Sequence, residues 1–182
     1  MSNCEVILRD LESLLRKSHL GNDIKVLNYK TDNLLASGEN FSSSILKVEA
    51  NISKIENGKD ETLHLVAKML ANSEFHRNNM NSSKAFVREI FIFEQLIPMY
   101  RKLQLQMGFE GKDLINILPK YYGGRLSLSG KIGEFDENAA YLMENLKLKN
   151  YCNMDKKNGM MKFYFYLILY KISMKKLIDP YL

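Results

Sequence analysis

Apolar residues at Ile7, Leu8, Leu11, Leu14 and Leu15 recur at helical spacing, and Gly21 stands where a left-handed residue would end such a helix. An amphipathic helix is therefore expected to open the chain, with an extended stretch from Ile24 to Leu35 after it. From Ser44 the period changes to two. Ser44, Leu46, Val48, Ala50 and Ile52 fall on one face, with Lys47, Glu49 and Asn51 on the other, as in a half-buried antiparallel strand. Asn57-Gly58 supplies the residue types of a type I′ hairpin turn, so a second, adjacent strand is expected from about Glu61 through the apolar run Leu63-His-Leu-Val-Ala-Lys68.

A polar stretch from Asn72 to Asn81 leads to Ser82 or Ser83 as a helix cap, after which Phe86, Ile90, Phe93 and Ile97 mark one helical face. Pro98 bends or restarts that helix, which runs to about Met107. Two further strands are expected, Leu118 to Leu128 and Asn138 to Met143, and the periodic signal fades from Asn145. The order helix, three strands, helix, two strands predicts an α+β fold in which a helix packs on a five-stranded antiparallel sheet.

Composition narrows the function classes. Of 182 residues 46% are hydrophobic, enough for one core. The net charge of +5 is confined to the end of the chain: residues 147–182 hold eight Lys and two Asp, or +6, leaving 18 basic and 19 acidic residues, or −1, before them. With that tail set apart no basic face remains, so nucleic acid is not expected as a partner. Interleaved aromatics in the tail keep a membrane-surface or base-stacking role as a third option. Cys4 and Cys152 form no metal-ligand spacing, and the acidic N-terminus does not resemble a signal peptide, so a reducing, cytoplasmic setting is expected. The longest apolar run, Phe163 to Tyr170, has eight residues, against roughly 20 needed to span a bilayer.

The candidate chemistry lies in three places. Small residues of Ser37-Gly-Glu-Asn-Phe-Ser-Ser43 would bring backbone amides and the Ser42 and Ser43 hydroxyls close to phosphate, although an ordinary hairpin turn has the same composition. Lys68 in an apolar strand needs an acid or an anionic ligand, or else snorkels to water. By alternation it shares a face with Val66, placed to roof a flat base. Glu89, between Phe86, Ile90 and Phe93, needs a cation, with the neighbouring Arg88 as a surface alternative. A loop, then a strand lysine, then a helix glutamate is the order in which kinase-type folds build their phosphate-holding lobe. No P-loop, HExxH, CxxC or nucleophile elbow occurs, and His19, His64 and His76 are scattered.

Five blocks in order, Gly38-Glu-Asn-Phe-Ser-Ser43, Leu65-Val-Ala-Lys68, Ala85 to Pro98, Leu118-Pro-Lys-Tyr-Tyr-Gly123 and Ala140-Tyr-Leu-Met-Glu-Asn-Leu146, resemble the insect ecdysteroid kinase-like (CHK kinase-like) family, which is related to choline kinases and aminoglycoside phosphotransferases. The likeness spans roughly residues 20 to 159. It implies a kinase-like N-terminal lobe with Lys68 on the ATP phosphates and Glu89 as its ion-pair partner. Glu144, Asn145 and Leu146 would form the hinge that meets adenine, in a pocket lined by Tyr141 and Met143.

The expected organisation is an N-terminal helix over 1–20, a nucleotide-binding lobe over 21–146 and a basic, aromatic tail over 147–182, in place of a catalytic lobe. Relatives of full length would use ATP and Mg²⁺ to phosphorylate a small-molecule hydroxyl. Only Asp155 and Asp179 supply acids after Glu144, and no His follows it, so this chain is expected to hold ATP weakly or as a vestige, without turnover and without a metal site. A non-catalytic nucleotide- or partner-binding module is the other reading, with no protein partner identified.

Overall fold

A computed structural model of the chain describes residues 7–34, 43–55, 58–70, 82–111, 114, 118–131 and 134–151. The chain divides into two compact units, Met1–Asn145 and Leu146–Leu182. The first begins with helix α1 (Leu11–Arg16), followed by β1 (Ile24–Asn33), β2 (Ser43–Lys54) and β3 (Lys59–Leu70). Helix α2 (Ser82–Phe91) then passes through a π turn, Ile92–Leu96, into α3 (Ile97–Gln106), and β4 (Tyr121–Arg125) and β5 (Ala140–Glu144) complete a five-stranded sheet. Strand order is β1-β2-β3-β5-β4, with every neighbouring pair antiparallel. The described part of the second unit holds a 3₁₀ turn, Leu146–Lys149.

Alternation divides the sheet into two unlike faces. Leu46, Val48, Ala50 and Ile52 of β2, Leu63, Leu65, Ala67 and Met69 of β3, and Ala140 and Leu142 of β5 point to one side, where α1 buries Leu11, Leu14 and Leu15. We call this side the outer face. Each of those three leucines contributes about 2 kcal/mol through burial. The helix is short for a structure that must persist alone, so its position depends on tertiary ties. Asp10 caps it at φ 46°, its carboxylate accepting from the Ser13 N–H. The Val26 N–H donates to Glu12 at 2.9 Å and the Tyr29 hydroxyl to the Leu8 carbonyl at 2.6 Å. The buried Arg125 guanidinium donates to the carbonyls of Asn138, Asp10 and Arg9, at 2.9, 3.2 and 2.6 Å.

Across the sheet, on the inner face, Leu70, Ala139 and Tyr141 meet Phe86 and Ile90 of α2, with Phe93, Tyr121, Leu126 and Met143 around them. Some local details differ from the sequence expectation. Lys54 pairs with Lys59, so four residues rather than two separate β2 from β3. Gly58 ends that longer loop in a left-handed conformation, at φ 60°. Pro98 restarts the helix, as the sequence suggests. The turn before it widens, with the Ile97 N–H reaching the Ile92 carbonyl five residues back, and Pro98 then occupies the start of α3, where its missing N–H costs least. β4 is also shorter than the expected Leu118–Leu128, because Pro119 precedes it and the Ser- and Gly-containing segment after Arg125 leaves the ladder, while β5 begins two residues later than expected and runs one further, to Glu144.

Candidate functional site

Strand register brings the chemistry together. Lys68 sits opposite Ile45 on β2 and Tyr141 on β5, and Val66 sits opposite Lys47 and Met143. Because alternate residues share a face, Val66, Lys68, Tyr141 and Met143 form one patch on the inner side of the sheet. Helix α2 crosses that side through Phe86 and Ile90, a spacing of one helical turn that leaves Glu89 beside the apolar stripe.

The Lys68 ammonium lies 2.7 and 2.8 Å from the two carboxylate oxygens of Glu89. The pair is half-sheltered, with side-chain exposures of 20% and 33%. Its Nζ also lies 5.9 Å from the Phe86 ring centre and 5.8 Å from that of Tyr141, at the outer limit of a cation–π interaction. Both carboxylate oxygens are thus engaged by one cation, and a third donor, the Tyr141 hydroxyl, reaches Oε2 at 3.2 Å. The Tyr141 hydroxyl is pushed well above its ordinary pKa by burial and then by the Glu89 charge, so at neutral pH it remains a proton donor.

The remaining sequence candidates fall as follows. Val66 is buried and Met143 half-buried beside the aromatic cluster. Tyr141 is 4% exposed and packs its ring against Phe86 and Phe93, so its side chain is taken up by the helix. The Glu144 N–H donates to the Lys120 carbonyl at 2.8 Å and the Asn145 N–H to the His64 carbonyl at 3.3 Å, which ties the end of β5 to both of its neighbours. Leu146 opens the second unit. Ser43 is buried at the start of β2, opposite Leu70. Ser42 and the rest of the small-residue loop lie outside the described residues.

Two residues escaped sequence reasoning. Tyr121 stacks flat on Phe93, with ring centres 5.0 Å apart and planes 5° apart, and its hydroxyl donates to Glu94 at 2.8 Å. Burial, reinforced by Glu94, raises its pKa well above the ordinary value. Helical spacing does not reveal the pairing: Glu94 continues the Phe86-Ile90 row of an ideal α-helix, and it is the π turn that changes which way this residue faces. Tyr121-Tyr122-Gly123-Gly124 was the available signal, since two glycines in a strand mark a bulge.

The site therefore offers a fixed, half-sheltered cation beside a small apolar patch. Among the described residues no three His, Cys, Asp or Glu side chains converge. No helix of the described residues is long and apolar enough to cross a membrane. No curated protein and no solved structure shows a significant match to the chain. The model of the ecdysteroid kinase-like family matches residues 37–174, continuing past 159 into the tail that motif reading alone had set apart. With a matching five-stranded, helix-backed lobe beneath it, the chain belongs to the ecdysteroid kinase-like family.

Proposed function

We propose that the first unit is a nucleotide-binding lobe that holds ATP through Lys68. The observation that carries this reading is the two-point ion pair at 2.7 and 2.8 Å between Lys68 and Glu89, which aims a cation at one place on the inner face. Lys68 would meet the phosphates while Glu89 keeps its ammonium in position. Val66 and Met143 would lie against the base, near the backbone of Glu144 and Asn145, and Ser43 would stand at the phosphate end beside the loop that carries Ser42. ATP, when bound, supplies the transferable phosphoryl group. In family members with a complete catalytic set this chemistry is phosphoryl transfer to a small-molecule hydroxyl, assisted by Mg²⁺. Lys68 and Glu89 bind and orient but neither removes a proton nor holds a metal, and after Glu144 the sequence offers only Asp155 and Asp179 as acids. The 182 residues alone therefore bind without turnover, in the cytoplasm where ATP is supplied. Calorimetry with ATP tests this: measurable binding that disappears in Lys68→Ala supports it, and equal binding by both proteins overturns it. Phosphate transfer to any alcohol or sterol by this chain would contradict the absence of turnover.

A second reading, a partner-binding module, is favoured by the apolar surface of the α2–α3 helix, where Phe91, Met99 and Leu105 are 54, 61 and 56% exposed. Under this reading Lys68→Ala changes no binding property of the chain, whereas Met99→Glu abolishes self-association or partner binding.

A further inference from the structure

We infer that Tyr121 and Tyr141 act as a pair of positioning residues, two hydroxyl-to-carboxylate latches that fasten the α2–π–α3 helix to the sheet and thereby hold Glu89 turned onto Lys68. The inference deepens the nucleotide-binding reading and, for its ligand part, rests on it.

The two latches have the same construction. The Tyr141 hydroxyl, from β5, donates to Glu89 at 3.2 Å, and the Tyr121 hydroxyl, from β4, donates to Glu94 at 2.8 Å. Glu89 and Glu94 are five residues apart, about 140° around an ideal α-helix, where they could not face the same two strands. The π turn Ile92–Leu96 removes that conflict. Its five-residue hydrogen bonds widen the spiral and bring Glu94 back toward the side occupied by Glu89. Phe93, inside the turn, lies flat on Tyr121 and 5.8 Å from Tyr141, so the same turn also places the ring that packs both tyrosines.

The strand is shaped to match. Tyr121 pairs with Met143 and Gly124 with Tyr141, so three steps on β4 oppose two on β5. The extra residue is a bulge, and it lets Tyr121 and Gly124 both face inward. A Cβ at Gly124 would lie 2.4 Å from the Tyr121 hydroxyl oxygen, 3.2 Å from the Tyr141 Cβ and 3.3 Å from Ile90 Cδ1. A bare glycine at this point leaves the Tyr121 ring room to lie against the helix. Gly123, turned the other way at φ 109°, approaches the Leu14 carbonyl so closely that a Cβ would lie 2.3 Å from that oxygen. The bulge therefore fits α1 on one face and a latch on the other.

The consequence is preorganisation. Glu89 is held by three hydrogen bonds, two from the Lys68 ammonium and one from the Tyr141 hydroxyl, and the helix that carries it is pinned one turn further on by Tyr121. A lysine positioned before ligand arrives binds phosphate without first ordering its own side chain.

Tyr121→Phe, Tyr141→Phe and the double variant of the 182-residue chain keep the rings and remove only the hydroxyls. Amide hydrogen exchange over 82–106 is expected to quicken about tenfold in each single variant, the factor for losing one hydrogen bond to a charged group, and about a hundredfold in the double variant, with β2 and β3 amides unchanged. Calorimetry is expected to give a roughly fivefold loss of ATP affinity with adenosine affinity unaltered, because the latches act through Lys68. Unchanged helix exchange overturns the inference, as does an equal loss for adenosine, which would mark a merely structural effect. If the unaltered chain binds neither nucleotide, the ligand reading fails while the exchange result still decides the latch.

Discussion

The two faces of the sheet are built on different principles. The outer face, under α1, is made of Leu, Ile, Val, Ala and Met side chains, and its polar ties run to backbone groups at its margin, such as Arg125 to the Arg9, Asp10 and Asn138 carbonyls. The inner face, under α2, has an aromatic cluster with two carboxylates, an ammonium and two phenols set into it. Area burial explains the first face almost completely. The second is less economical for stability, because each charge must be desolvated before it is paired, and paired charges often only break even with an apolar substitute. A lobe whose outer face supplies the stability can keep an inner face with a cation held in a fixed position.

The comparison predicts that damage to the outer face costs stability and damage to the inner face costs binding. Gly123→Ala should be the most severe, since it combines a backbone conformation unsuited to a side chain with a clash against the Leu14 carbonyl. A loss of about 4 kcal/mol is expected in chemical denaturation, with α1 released first. Leu14→Ala, at a fully buried position, should cost about 3 kcal/mol in the same measurement while leaving the ATP dissociation constant of the folded protein unchanged. Lys68→Met should behave in the opposite way. It leaves the one-third-exposed Glu89 carboxylate without its cation, so stability should fall by about 2 kcal/mol, less than for either outer-face variant, while ATP binding is lost.

The smallest effect concerns pH. Burial and the adjoining Glu94 and Glu89 carboxylates raise the pKa values of Tyr121 and Tyr141 above their unfolded values, with the Lys68 ammonium also facing this cluster. A group whose folded pKa is raised contributes stability that is fully present below its unfolded pKa, about 10 for tyrosine, and is lost as pH rises through the folded value. Denaturation midpoints should therefore fall above about pH 10, and fall less steeply in the Tyr121→Phe, Tyr141→Phe double variant. An identical alkaline slope in both proteins would show that the phenols are not held neutral by their surroundings.

How much of this was legible in the sequence follows from which signals are local. The β2 alternation, the β3 run and the Phe86-Ile90-Phe93 stripe are short-range patterns, and they pointed to the helix, the five strands and the antiparallel sheet. Lys68 and Glu89 could be singled out because a charged residue in an apolar run demands a partner, and the structure brings the two within 2.7 Å. The π turn was not legible. It arises from the accommodation of Pro98 and from the fit of Phe93 against Tyr121, which are tertiary facts, and it moves Glu94 out of helical register. Tyr141 could be assigned to the inner face by alternation, but nothing in a linear pattern says that its hydroxyl turns to Glu89. The small-residue loop with Ser42 lies outside the described residues, so its part at the phosphate end stays with the proposal.

The central claim, that Lys68 is positioned for phosphate, is tested most directly by comparing ATP with adenosine on the intact chain and on Lys68→Ala by calorimetry. The unaltered protein is predicted to bind ATP at least about tenfold more tightly than adenosine, the scale of one charge-assisted hydrogen bond, and Lys68→Ala to bind the two alike. A preference for ATP that survives in Lys68→Ala would contradict the account.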